Sequence, residues 1–528
     1  MKRRSVLMAA GTGLLALAAP RISRSADQQT LRFVPQTDLA VVDPIWNTAY
    51  VTRNHGYLVY DTLYGLDANF QARPQMVAGH TIENDGRLWT LTLRDGLKFH
   101  DGTPVLARDA VASILRWGKR DVFGQTVLAV NDAIEAPSDK TIRFRLKAPF
   151  PLLPQALGKA QTNMPCILPE RLAMTDPSVQ VKEVVGSGPF RFVAAERVQG
   201  ARFVYEKFAD YVPRQDKPSF TAGGKAAHVP RIEWTIIPDP ATAAAALQAG
   251  EVDWWEQPTI DLQPMLRRNR AIVIDILDHT GVIGDFRPNH LHRPFNNPAI
   301  RRALLGAISQ ADCMTAVVGD DKALWHDRVG VFCPGTPLAN DAGIEVLGGP
   351  RDYTKVKREL DAAGYNGEKV VFLAATDYPA LSAVCQVAAD ALRKSGLNVD
   401  YQALDWGTVQ QRRTSKQPVA EGGWSLFIAL GAGLDYFNPA GNLPLRANGD
   451  KAWFGWPTAP KLEALRSAWF DAPDLDAQQR IARDIQHQVW QDVPYIPLGQ
   501  FYQATAYRNS LSDIVAGGFP IFWNVRKS

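Results

Sequence analysis

Cysteine is scarce in this chain: four residues in 528, at Cys166, Cys313, Cys333 and Cys385. No two are spaced C-x-x-C, so a zinc ribbon is not suggested. Buried free thiols are expected, because a large core needs no covalent staple; Cys313 and Cys333, the nearest pair in sequence, are the alternative if one bridge forms. Catalytic signatures are missing too: there is no G-x-S-x-G, no H-E-x-x-H and no phosphate-binding loop. The nine histidines are scattered and none sits in such a motif, which leaves a secreted hydrolase as a distant alternative. No enzyme activity and no cofactor are expected. Beyond the first 26 residues no apolar run approaches the roughly twenty residues of a spanning helix. There is no internal repeat and no low-complexity tract.

Nor is there an excess of one charge. Of 58 Lys and Arg, five (Lys2, Arg3, Arg4, Arg21, Arg24) lie in the first 26 residues, which hold no acid; the remaining 53 face 54 acidic residues, a net charge near −1. Nucleic acid and acidic membrane are therefore not expected partners. Those 26 residues read as an export signal: a basic start, a short apolar run Val6–Ala19, and a small-residue end at Ser23-Arg24-Ser25-Ala26. Arg3-Arg4-Ser5-Val6-Leu7 fits a twin-arginine pattern, with general secretion as the alternative. Cleavage is expected near Ser25 or Ala26, placing the mature chain in the periplasm. The leader has no Cys on which to build a lipid anchor. About 500 mature residues exceed one core and call for two or three lobes.

What is present is concentrated in Leu88–Val111, LWTLTLRDGLKFHDGTPVLARDAV. Leu88, Thr90 and Thr92 alternate with Trp89, Leu91 and Leu93, the pattern of a half-buried strand. Asp95-Gly96 predicts a turn, Leu97–His100 a second strand, and Pro104 the first residue of a helix reaching about Arg116. Farther on, Val185–Phe192 reads VGSGPFRF, whose Gly186 and Gly188 permit positive φ or a close backbone approach. Ala243–Trp255 predicts a helix closed by Gly250, then a strand. Val370–Ala374, Leu381–Lys394 and Val399–Ala403 predict a strand-helix-strand unit, the mark of an α/β lobe. His290 and His292 could offer two metal ligands on one strand face, but a polar loop is the expected setting.

TLRDGLKFHDGTP, VGSGPFRF, ALQAGEVD and FRPNHLHRPFNNPAIRRA together resemble the family 5 extracellular solute-binding proteins, the peptide- and nickel-binding class that serves ABC importers. The resemblance runs from about Leu31 to Val525. It implies an α/β fold of the periplasmic-binding-protein type II, two large lobes with a hinge and a small lobe inserted in the first. The expected division is 27–66, 186–280 and 495–528 for lobe I, 67–185 for the insertion, and 281–494 for lobe II. It implies a receptor that captures a peptide or similar small solute and delivers it to ABC permease subunits at the inner membrane. A nickel or metal-chelate receptor of the same fold is the alternative, no resident metal is expected, and a monomer is expected.

The resemblance also implies site residues. Asp435, in Gly422–Asn442, matches the position where peptide-binding relatives grip the ligand's ammonium group; capping a turn before Asn438-Pro439 is its other possible role. Three departures stand out: the gap between Trp424 and Asp435 is longer than in peptide binders, Asn438 replaces a second acid, and no Arg follows Val370–Ala374 to hold a dipeptide carboxylate. Asp405-Trp406 matches a frequent family pair, and Trp406 either faces ligand or packs. The expected ligand-binding set is Trp424, Asp435, Tyr436, Trp406 and Asn54.

Overall fold

The computed structural model describes residues 29–528, so the expected export signal lies outside the described residues. Two sheets organise the chain. The first has seven strands, in the order 272–275, 505–508, 254–255, 30–34, 231–235, 202–207, 190–192. Its centre is parallel: Thr30–Val34 pairs with both Arg231–Thr235 and Trp254–Trp255 in that sense. The second has six, in the order 325–326, 496–501, 282–288, 426–432, 369–375, 398–404. Lys369–Ala375 runs parallel to both neighbours and is buried from Val370 onward, which explains its unbroken apolar sequence. A four-stranded antiparallel sheet made from 77–83, 88–93, 141–146 and 131–138 forms the insertion. Among the described residues no helix is long and apolar enough to cross a membrane.

Side-chain chemistry explains these elements. Trp89, Leu91 and Leu93 are buried while Thr92 faces out, as the alternation requires. Helix Pro379–Lys394 begins on a proline, whose missing N–H costs nothing there, and the chain turns away through Gly396 at φ 87°. Phe33, Trp254 and Phe522 pack edge-on in the first core, with ring centroids 4.9–5.4 Å apart for the Phe33 pairs. Two ion pairs tie the parts together. Arg116 on the insertion's helix Ala107–Arg120 grips Asp43 at 2.7 Å, and Lys225 grips Asp61 at 2.8 Å with both side chains fully buried. All four cysteines are buried and unpaired.

Three expectations are corrected. Leu97–His100 is not a strand: Phe99 N–H donates to Thr103 O and Val105 N–H to Leu97 O, so the segment closes on itself as a loop. The following helix starts at Ala107, not Pro104, because Asp109 Oδ2 accepts the Leu106 N–H at 2.8 Å and fixes the cap there. Ile496–Phe501 pairs with Val282–Pro288 in the second sheet, so the return crossing falls at 502–504 and not at 495. The Val185–Phe192 glycines act through close approach and not through positive φ. A Cβ on Gly186 would lie 2.0 Å from Val59 O, and Gly188 N–H donates to that same oxygen at 2.8 Å.

The chain passes between the two large sheets at 276–281 and again at 502–504. These crossings touch: a Cβ on Gly281 would meet Phe501 O at 2.5 Å, and Gly281 has φ 59°.

Candidate functional site

A cavity of about 530 Å³ lies where the crossings meet the two sheets. Helix Tyr50–Val59 contributes Tyr50 and Arg53 to its wall; the strand Trp254–Trp255 and the residues after it contribute Trp254 and Glu256. Asp278 and Gln503 come from the crossings. The second sheet contributes Leu430–Ala432 from the end of one strand and Asp377, Tyr378 and Trp406 from the loops after two others. Phe519 and Pro520 arrive from the far end of the chain.

The wall carries one cation, Arg53, and three carboxylates, Glu256, Asp278 and Asp377. Arg53 is 4% exposed. Its guanidinium lies 5.0 Å from the Tyr50 ring centroid and 4.5 Å from that of Phe519. Nε and Nη2 donate to Asn54 Oδ1 at 3.2 and 3.1 Å, and Nη1 has no partner. Asn54 in turn donates from Nδ2 to Glu256 Oε1 at 3.1 Å, while Gln36 N–H donates to Oε2 at 2.7 Å. Burial pushes the Glu256 carboxyl up to about 7, against those donors and the nearby Arg53 charge. Asp278 is also pushed up by burial; its Oδ1 accepts from Thr280 N–H and Oγ1 and from Gly281 N–H at 2.8, 2.6 and 3.3 Å. The same atoms thus brace the crossing and charge the cavity.

Tyr50 bridges the mouth. Its hydroxyl accepts from Ala432 N–H at 2.9 Å and donates to Asp435 Oδ2 at 2.7 Å. Burial raises the Asp435 carboxyl, with Tyr50 and Arg53 opposing. Nearby, Gln161 Nε2 donates to Leu434 O at 3.1 Å, and Phe70 stacks on Phe437 at 5.5 Å between centroids.

Of the five expected site residues, Trp406 lies on the cavity wall, its N–H donating to Asp377 Oδ1 at 2.9 Å. Asn54 lies one layer behind, between Arg53 and Glu256. Asp435 sits beyond Tyr50, beside the wall. Tyr436 is buried and donates from its hydroxyl to Asp285 Oδ2 at 2.8 Å. Trp424 is fully buried against Phe427 and Trp456 and donates from Nε1 to Ser415 O at 3.0 Å. It precedes the strand whose far end meets the cavity at Leu430, roughly 20 Å away at the rise of a strand. His290 is half-buried with its Nε2 enclosed, desolvation holding its ring well below its ordinary pKa, while His292 Nε2 donates to Lys416 O at 2.8 Å.

Sequence reasoning missed Arg53, Glu256, Asp278 and Tyr50. One signal was available: Arg53 is the only Lys or Arg of the helix YVTRNHGYLV, and that helix is buried from Val51 to Val59. A cation placed there needs a polar partner.

Residues 71–452 match the family model described as bacterial extracellular solute-binding proteins, family 5 Middle. The chain is 36% identical, over all of both chains, to a Sinorhizobium fredii protein named probable peptide ABC transporter periplasmic-binding protein. It is 25% identical to a Pectobacterium atrosepticum glutathione-binding protein, covering 83% of this chain and 82% of the other. Among solved structures, the dipeptide binding protein of Pseudoalteromonas sp. SM9913 in complex with Met-Leu matches with a TM-score of 0.77 at 20% identity, covering 94% of this chain and all of the other.

Proposed function

We propose, since this chain belongs to family 5 of the bacterial extracellular solute-binding proteins, that it captures a short peptide between its two large sheets and presents it to an ABC permease. The observation that carries this is the cavity of about 530 Å³, which touches both sheets and both crossings and bears charges of each sign. That volume falls within the roughly 300–1,000 Å³ of small-molecule sites. Contact with both halves is what lets a ligand favour a shut form over an open one. The peptide assignment draws support from relatives named for a peptide and for glutathione.

On this proposal the export signal is removed near Ser25 or Ala26 and the mature chain works in the periplasm as a monomer. Lobe I, the insertion and lobe II take the expected divisions, with the last boundary moved to the 502–504 crossing. Trp406 forms an aromatic wall for the ligand, Asn54 holds Arg53 in place, and Asp435 with Tyr50 closes the mouth. Tyr436 and Trp424 support the strand that carries Leu430–Ala432.

The test is a thermal-shift screen of the mature chain against pools of di- to tetrapeptides, followed by calorimetry. A binding pool at about 100 times its Kd stabilises the fold by about 2.7 kcal/mol. If no pool raises the melting temperature, the peptide assignment fails.

A further inference from the structure

We infer that Arg53 is the anchor for the ligand's free C-terminal carboxylate and so restricts the cavity to peptide acids. The inference rests on the peptide reading above and adds the chemistry of one subsite to it.

The guanidinium has three edges and two faces. Two rings lie close to it, those of Tyr50 and Phe519. A carboxylate meets a guanidinium edge-on, in its plane. The Nε–Nη2 edge is taken by a single oxygen, Oδ1 of Asn54. The Nη1–Nη2 edge remains, with Nη1 buried and unpartnered on a residue that lines the cavity. Two parallel N–H groups on that edge match the two oxygens of a carboxylate.

No carboxylate among the described residues supplies that partner. Among the described residues Arg53 forms no ion pair, although it is 4% exposed. The nearby acids are engaged elsewhere: Glu256 by Gln36 and Asn54, Asp278 by Thr280 and Gly281, Asp435 by Tyr50. An unpaired buried cation is costly, and a ligand that brings the missing anion recovers that cost on binding. Asp278, with Oδ1 bonded and Oδ2 accepting no hydrogen bond among the described residues, is suited to the opposite, ammonium end. This arrangement also accounts for the missing Arg after strand Lys369–Ala375: the cation is supplied from helix Tyr50–Val59 instead.

The experiment compares two pools of di- to tetrapeptides that contain no Asp or Glu, identical in sequence, one with free C-terminal carboxylates and one with carboxamides. Calorimetry is run on the wild-type mature chain, on Arg53→Gln and on Arg53→Lys, each first checked by melting without peptide. Acids are expected to bind the wild type at least about 30-fold more tightly than the matching amides. Arg53→Gln is expected to lose that factor for acids and to bind both pools alike, with Arg53→Lys between the two. If amides bind the wild type within about threefold of the acids, the Arg53 assignment is overturned and the peptide reading stands. If neither pool binds, the peptide reading falls and takes the assignment with it. Should Arg53→Gln fail to fold, the acid–amide comparison on the wild type decides alone.

Discussion

Tyr50→Phe removes one oxygen and keeps the ring, so the stack on Arg53 at 5.0 Å survives while the bridge across the mouth does not. Two groups lose a partner: Asp435 Oδ2, a charged acceptor, and the Ala432 N–H. A hydrogen bond to a charged group contributes about 1.5–3 kcal/mol and a neutral one about 0.5–1.5 kcal/mol, which gives about 2–4.5 kcal/mol for the pair. In an open form both groups meet water, so the loss falls on the shut form alone. The balance between the two is expected to move toward open by about 30- to 2,000-fold. A peptide that requires the shut form binds more weakly by up to that factor. Two measurements check this: calorimetry with the peptide that most stabilises the wild type, and the radius of gyration by small-angle scattering with and without it. The variant should bind weakly and stay expanded at peptide concentrations that compact the wild type. Binding within about threefold of wild type, with equal compaction, would refute the reasoning.

Two further outcomes are expected. The Glu256 carboxyl is raised from 4.5 to about 7, so the folded chain holds a proton that the unfolded chain has released; the stability this group contributes is full below pH 4.5 and falls by about 3 kcal/mol as pH rises through 7. Urea unfolding between pH 4.5 and 8 should show that decline in the difference between wild type and Glu256→Gln, and a constant difference would discount it. Trp406→Ala should weaken peptide binding with little change in melting temperature, whereas Trp424→Ala should cost about 3–5 kcal/mol of stability by leaving a core cavity and leave the affinity of the folded fraction nearly unchanged. The opposite pattern, read by calorimetry and urea titration, would exchange their roles.

Local pattern carried the elements well. The alternation in Leu88–Leu93 and the apolar run in Lys369–Ala375 each announced a strand and how deeply it lies. It failed where the outcome depends on distant partners. Ile496–Phe501 reads equally well as part of either sheet, and only pairing with Val282–Pro288 decides. Leu97–His100 has the composition of a strand, but the Phe99 and His100 N–H groups donate to Thr103 O and Gly186 O, and Leu97 O accepts from Val105 N–H across a loop. Trp406, which follows a strand end directly, reaches the cavity wall. Arg53 was not legible, because the nearer of the two rings beside its guanidinium carbon, Phe519, comes from near the end of the chain, and no spacing within helix Tyr50–Val59 encodes that meeting. Trp424 entered the expected set through the family resemblance, yet its size is what the core beneath the strand required.

The paired passages at Gly281 and Phe501 have a mechanical meaning. A single tether would let the halves slide and twist; two adjoining tethers suppress both and leave swinging about one line. Each shutting therefore returns Tyr50 to the same oxygen and the same N–H, and a permease waiting outside is offered a single repeatable face.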